Sequence, residues 1–200
     1  MLHLLGALFG IVLATATAPQ TQAVPLSQWV PQTGAVFLVD TKDALGYLIN
    51  TDGSFTAVPV ILGQNRNIHY LGRTYLATTP EASWVVKKVD TQSDRIMFGK
   101  DGTFLRLFKN GVSSTPYGIH TNANIDNMLA SDSKYYSYGC ILVTKNVLDI
   151  LEKMYEANDG SLRVVTMFGL DGEKMSRRVE GTASVKPQTE NASRMTTMKS

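Results

Sequence analysis

Only one cysteine, Cys140, occurs in the 200 residues, so no disulfide within the chain is possible and a small disulfide-stapled fold is excluded. The net charge is only +2, and no basic run interleaved with aromatics occurs. Both argue against a surface that tracks nucleic-acid phosphates. The three histidines, His3, His69 and His120, give no metal-ligand spacing with one thiol. A glycine-rich phosphate loop and a G-x-S-x-G elbow are both missing, and carboxylates stand singly rather than as an acid/base pair. Neither a metal nor a cofactor is expected. No apolar run reaches the roughly 20 residues of a spanning helix.

What is present is the composition of a globular chain, 44% hydrophobic and 18% charged, of a length that suits one domain with a real core. Residues 4–14 (LLGALFGIVLA) form an apolar run with small residues behind it. This pattern reads as a secretory signal peptide over residues 1–23, the alternative being an uncleaved N-terminal membrane anchor. The body is then extracytoplasmic, in the periplasm or cell envelope. Cleavage after Ala18 leaves Pro19 behind the cut, and cleavage after Ala23 avoids it. Residues 24–34 read as a linker, 35–170 as the folded domain, and 171–200, polar and without apolar periodicity, as a disordered tail.

Within the domain, short β-branched and aromatic runs alternate with turn residues. Strands are expected at 35–39, 45–49, 55–61, 84–89, 95–98, 103–108, 117–120 and 161–168. Residues 68–79 read as strand and loop, and 110–116 as loop. Pro59 marks an edge or a bulge. Residues 146–158 (NVLDILEKMYEAN) place Val147, Leu148, Ile150, Leu151, Met154 and Tyr155 on one helical stripe behind a Thr144 N-cap. One helical turn is expected near residues 125–129. The expected fold is mainly β with one good helix following the cysteine.

Cys140 is the candidate for chemistry. A thiol becomes a nucleophile when an imidazole or a helix N-terminus favours its thiolate. His120 lies twenty residues upstream at the end of an expected strand, and the Thr144 cap sets Cys140 ahead of a helix. Gly139 leaves space beside the thiol for a carbonyl. The backbone N–H groups of Tyr138, Gly139 and Cys140 lie in a tight turn that can face an oxyanion. Against this stands the plain reading of Cys140 as a small core hydrophobe and His120 as a scaffold residue.

The block from His120 through sixteen residues (121–136) to Ser137-Tyr138-Gly139-Cys140-Ile141, with Gly118-Ile119 leading into the histidine, resembles the catalytic domain of the L,D-transpeptidase family of the YkuD type. The resemblance runs over residues 35–168. It implies an L,D-transpeptidase-like β-sandwich and cysteine acyl transfer on peptidoglycan stem peptides. The thiolate attacks the carbonyl of the third stem residue, usually a diamino acid, and terminal D-alanine leaves. The acyl group then passes to an amine of another stem, giving a cross-link. By the same resemblance Cys140 is the nucleophile, His120 the general base, and Gly139 with Cys140 the oxyanion donors. Ser137, Tyr138 and Thr121 support the site, and Tyr117 and Leu142 contact substrate. The chain departs from the family pattern at Tyr138, where His is usual, at Leu142, where Arg or Asn is frequent, and at Thr121, where Gly or Ser is common. The acceptor stays open: a second stem, a lipoprotein lysine, or water, which gives an L,D-carboxypeptidase. A degenerate domain that binds stems without turnover is the remaining alternative.

Overall fold

Residues 22–170, apart from Leu71, are described by a computed structural model of the chain. The strands are β1 (Gln22–Ala23), β2 (Val36–Asp40), β3 (Leu45–Ile49), β4 (Ser54–Pro59), β5 (Leu62–Gly63), β6 (Asn67–Tyr70), β7 (Arg73–Leu76), β8 (Ala82–Thr91), β9 (Thr103–Lys109), β10 (Ser113–His120), β11 (Tyr135–Ser137), β12 (Ile141–Leu142) and β13 (Leu162–Met167). Two helices, α1 (Ile125–Ala130) and α2 (Lys145–Ala157), complete the described residues. The architecture is mainly β, as the turn-punctuated apolar runs lead one to expect.

Nine strands form one mixed sheet in the order β1-β4-β3-β2-β13-β8-β9-β10-β12. The sheet does not stay open. Ile61, just after β4, makes an antiparallel bridge to Leu142 of β12, so the β12 end of the sheet is tied back to the chain beyond β4. The curled sheet encloses one main core, in which Phe37, Leu48 and Val58 from one half meet Trp84, Leu107 and Ile119 from the other. Helix α2 packs Val147, Leu148, Leu151 and Met154 into that core. Its start is fixed by Thr144, whose side chain accepts from the Val147 N–H and so satisfies one orphan donor of the first turn.

Three expectations need correction. Residues 24–34 are not a free linker. Trp29 is buried in the main core with Val24 and Leu26 packed beside it, and its indole N–H donates to the Ser54 carbonyl. Gln22 and Ala23 pair with Ser54 and Phe55, so the folded unit takes in residues on both sides of position 23. Residues 95–98 form turns rather than a strand, because the Asp94 carboxylate accepts from the N–H groups of Ile96 and Met97 and curls the chain locally. Residues 113–116 belong to β10, whose register against β9 shifts between Ser114 and Gly118. Pro59 ends β4 beyond the short stretch that β1 covers, so its missing N–H faces an unpaired edge, as expected. The segments 1–21 and 171–200, read as signal and tail, lie outside the described residues. Among the described residues no helix is long and apolar enough to cross a membrane.

Candidate active site

Side-chain alternation across three strands builds the site. In the parallel β10–β12 pair, Ile119 stands beside Ile141 and His120 beside Leu142. Ile119, Ile141 and Val143 point into the main core. Successive residues of a strand face opposite sides, so His120, Leu142 and, two residues earlier, Cys140 share the other face. On the antiparallel neighbour β9, Phe104 pairs with His120 and Arg106 with Gly118. The outer face therefore carries two rows: Arg106, Gly118 and Cys140 in one, and Phe104, His120 and Leu142 in the next. Cys140 and His120 are diagonal neighbours, their Cα atoms about 8 Å apart by ordinary strand spacing and rise. Both open into one cleft of about 950 Å³, which Tyr70, Tyr75, Tyr117 and Tyr138 also line.

His120 is held firmly. Its Nδ1 lies 2.7 Å from the Thr121 carbonyl oxygen. A carbonyl only accepts, so Nδ1 carries the proton and Nε2 keeps its lone pair in the neutral ring. The imidazole also packs against Phe98 and Phe104, with centroids 4.7 and 5.7 Å away. Burial holds His120 below the usual histidine range, while the carbonyls of Thr121 and Met97 favour its charged form. The ring is thus a neutral base at neutral pH.

Cys140 keeps partial solvent access. Burial nevertheless pushes its thiol up to about 11, against the Gly118 N–H and the Arg106 charge, which favour the thiolate. The helix end therefore does not set the ionisation of this cysteine. Helix α2 begins only at Lys145, behind its own cap, and burial prevails. The resting pair is thiol and neutral imidazole, so any attack by the sulfur would require a proton transfer.

Ser137 shapes the turn that carries the thiol. Its hydroxyl donates to the Cys140 carbonyl at 2.6 Å and accepts from the Gly139 N–H at 3.1 Å. The Gly139 N–H, assigned to an oxyanion from sequence, is therefore engaged with Ser137. Gly139 has φ +119°, and a Cβ there would stand 2.6 Å from the Tyr117 ring and 3.1 Å from the Thr78 carbonyl, so only glycine fits. Tyr117 is half-buried, edge-on to Trp84, and walls the thiol's turn.

Tyr138 lies outside the two rows that carry Cys140 and His120. Its ring is 40% exposed and lies 5.0 Å from that of Tyr70 on the β6–β7 hairpin. Leu142 is buried with Ile61 and Ile125 in a small cluster that touches Cys140. It also lines the cleft into which Cys140 and His120 open. Thr121 acts through its backbone carbonyl. Sequence reading missed Phe98, Phe104 and Arg106. Phe104 and Arg106 alternate with the core residues Leu105 and Leu107 in β9, so an apolar and a charged residue on the outward face were the available signal. No cluster of three or more metal-ligating side chains occurs among the described residues.

No family model matches the chain, and no curated protein matches it. Solved structures do. The chain is similar to an L,D-transpeptidase from Xylanimonas cellulosilytica, with TM-score 0.49 and 20% identity over 68% of this chain and 61% of that one. It is similar to L,D-transpeptidase 3 from Mycobacterium tuberculosis, with TM-score 0.43 and 15% identity over 67% of this chain and 61% of that one. It is also similar to the helical cell shape determining protein Pgp2 from Campylobacter jejuni, with TM-score 0.45 and 15% identity over 78% and 54% of the two chains. The chain covers less than two thirds of the length of each of these. The likeness is one of fold.

Proposed function

We propose that the protein performs cysteine-dependent acyl transfer on peptidoglycan stem peptides outside the cytoplasm. The observation that carries this reading is the register of β10 and β12, which sets Cys140 and His120 diagonally on one face of one cleft, with the His120 Nδ1 proton committed to the Thr121 carbonyl. The Ser137-Tyr138-Gly139-Cys140 spacing behind His120 supports the choice of substrate.

In this reading His120 Nε2 takes the thiol proton as Cys140 Sγ attacks the carbonyl of the third stem residue. The tetrahedral oxyanion is met by the Cys140 N–H, Gly139 being engaged with Ser137. Collapse breaks the bond to the terminal residue, and His120 returns the proton to the departing amine of D-alanine. The thioester left on Cys140 is then attacked by an amine, giving a cross-link, or by water, giving a trimmed stem. His120 accepts the attacking group's proton and gives it to the sulfur as it leaves.

Incubation with a stem tetrapeptide tests the reading. Release of free D-alanine by the wild type, and not by Cys140→Ala, is the expected result. A second reading, a domain that binds stems without turnover, is favoured by the thiol's high ionisation point and by the Gly139 N–H being engaged. It predicts stem binding that survives Cys140→Ala with no D-alanine released by either protein.

A further inference from the structure

Five of the chain's eight tyrosines, Tyr70, Tyr75, Tyr117, Tyr136 and Tyr138, line the cleft that holds Cys140 and His120. They are not engaged alike. Tyr117 packs edge-on to Trp84 and against the main core. The Tyr75 hydroxyl donates to the Tyr138 carbonyl at 3.5 Å, and the Tyr136 hydroxyl is shared with that of Ser131 at 2.6 Å. Tyr70 and Tyr138 differ from these three. Their rings are 36% and 40% exposed, and neither hydroxyl bonds to another described residue. The two planes meet at 55° with centroids 5.0 Å apart, so the pair forms an open angle and not a closed stack. Exposed rings grouped in a cleft mark a surface that a ligand covers.

The surroundings narrow the chemistry of that ligand. Among the described residues no Asp or Glu lines the cleft, whereas Arg73 and Arg106 do, so an ammonium group is repelled. A hydrocarbon ligand would cover both phenol hydroxyls and leave them without a partner. A neutral ring with an apolar face and a polar edge meets both demands. Its C–H face lies on the aromatic ring, and its hydroxyl and acetamido edge bonds to the phenol O–H. That is the build of an N-acetylated pyranose sugar.

We infer that Tyr70 and Tyr138 form a saccharide subsite that takes an N-acetylhexosamine of the glycan strand and so favours stems still attached to sugar over free stem peptides. This rests on the acyl-transfer reading of Cys140. In peptidoglycan the first residue of the stem is amide-linked to a sugar. A third-residue carbonyl at Cys140 therefore leaves three residues, about 10 Å when extended, between the thiol and that sugar. Tyr138 precedes Cys140 by two residues, so their Cα atoms are at most about 7 Å apart and Tyr138 is anchored inside that radius. Tyr70 brings the second ring from the β6–β7 hairpin on the other side of the same angle. Tyr138 is also a departure from the pattern this chain resembles, so the subsite is a property of this chain.

The test is calorimetric binding to Cys140→Ala of one stem tetrapeptide in two forms, free and joined to its N-acetylglucosaminyl-N-acetylmuramoyl disaccharide. The sugar-linked form is expected to bind about tenfold more tightly, the scale of one well-made aromatic contact. Adding Tyr70→Ala or Tyr138→Ala should bring that ratio near one while the affinity for the free tetrapeptide holds. Adding Tyr138→Phe, which keeps the ring, should retain most of the ratio, and thermal unfolding checks that each variant is folded. A ratio near one in the parent overturns the inference, as does binding of neither form. So does a ratio that survives both alanine variants, including a loss shared equally by the two ligands, or one that collapses with Tyr136→Ala instead. Release of D-alanine by the wild type from each form is scored separately. Release with a ratio near one rejects the subsite and leaves the acyl-transfer reading standing, whereas no release from either form rejects that reading whatever the ratio.

Discussion

His120 stands beside Leu142 in the parallel β10–β12 pair, and this register decides which face of the sheet carries Cys140. A slip of one residue would turn the thiol into the main core and bring Ile141 to the cleft. The pairing is reinforced by the Val143 N–H, which donates to the His120 carbonyl at 3.0 Å.

The thiol's environment gives a stability signature. Cys140 titrates near 9 when unfolded and at about 11 when folded, raised by burial. A raised folded value means that its contribution is present below pH 9 and is lost as pH climbs through 11. Two pH units correspond to about 2–3 kcal/mol. Urea unfolding should therefore show the wild type losing that much between pH 8 and 11 relative to Cys140→Ala. Parallel curves for the two proteins would contradict the burial of the thiol.

His120 is depressed by burial, so the folded state resists its protonation. Below the ordinary histidine value of 6.5 the unfolded chain binds the proton first, and stability falls as pH drops from there. The ring's own NMR titration should have its midpoint below that value. A midpoint above it would contradict the burial of the ring.

Thr121 holds the His120 ring through its carbonyl, not its hydroxyl. Thr121→Val should therefore leave the rate of Cys140 acylation within about threefold, a barrier change of about 0.7 kcal/mol or less. A loss of a hundredfold would place the hydroxyl in the mechanism.

Ser137 holds two ends of the thiol's turn with one hydroxyl. Ser137→Ala leaves the buried Gly139 N–H without its acceptor and should cost about 1–3 kcal/mol. Gly139→Ala should cost at least as much, because it adds backbone strain and a clash with Tyr117. By contrast Tyr138→Ala, which removes an exposed ring tilted against Tyr70, should cost under about 1 kcal/mol. Chemical denaturation of the three variants orders them.

Much of this was legible in the sequence. The runs around Phe37, Tyr47, Trp84 and Leu105 declared their strands by composition, and the stripe from Val147 to Met154 with Thr144 before it declared α2. The His120 to Cys140 spacing pointed to two residues that share one cleft. What stayed hidden was non-local. Nothing near Trp29 says that it docks under the Ser54 carbonyl, because its partner is 25 residues away. Residues 95–98 look like a strand by composition, and only the Asp94 side chain turns them. Arg106 could not be tied to Cys140 without the register of three strands. The burial that raises the thiol is likewise a property of the packed site, which outweighs the nearby helix end that local sequence brings to mind.

The acyl-transfer account rests on Cys140 as a nucleophile served by His120. Intact-mass measurement after incubation with a carbapenem tests this most directly, because the strained ring acylates a competent thiol in one step. The account predicts a single covalent adduct on the wild type, none on Cys140→Ala, and slowed formation on His120→Ala. An unmodified wild type, or an adduct that persists in Cys140→Ala, would contradict it.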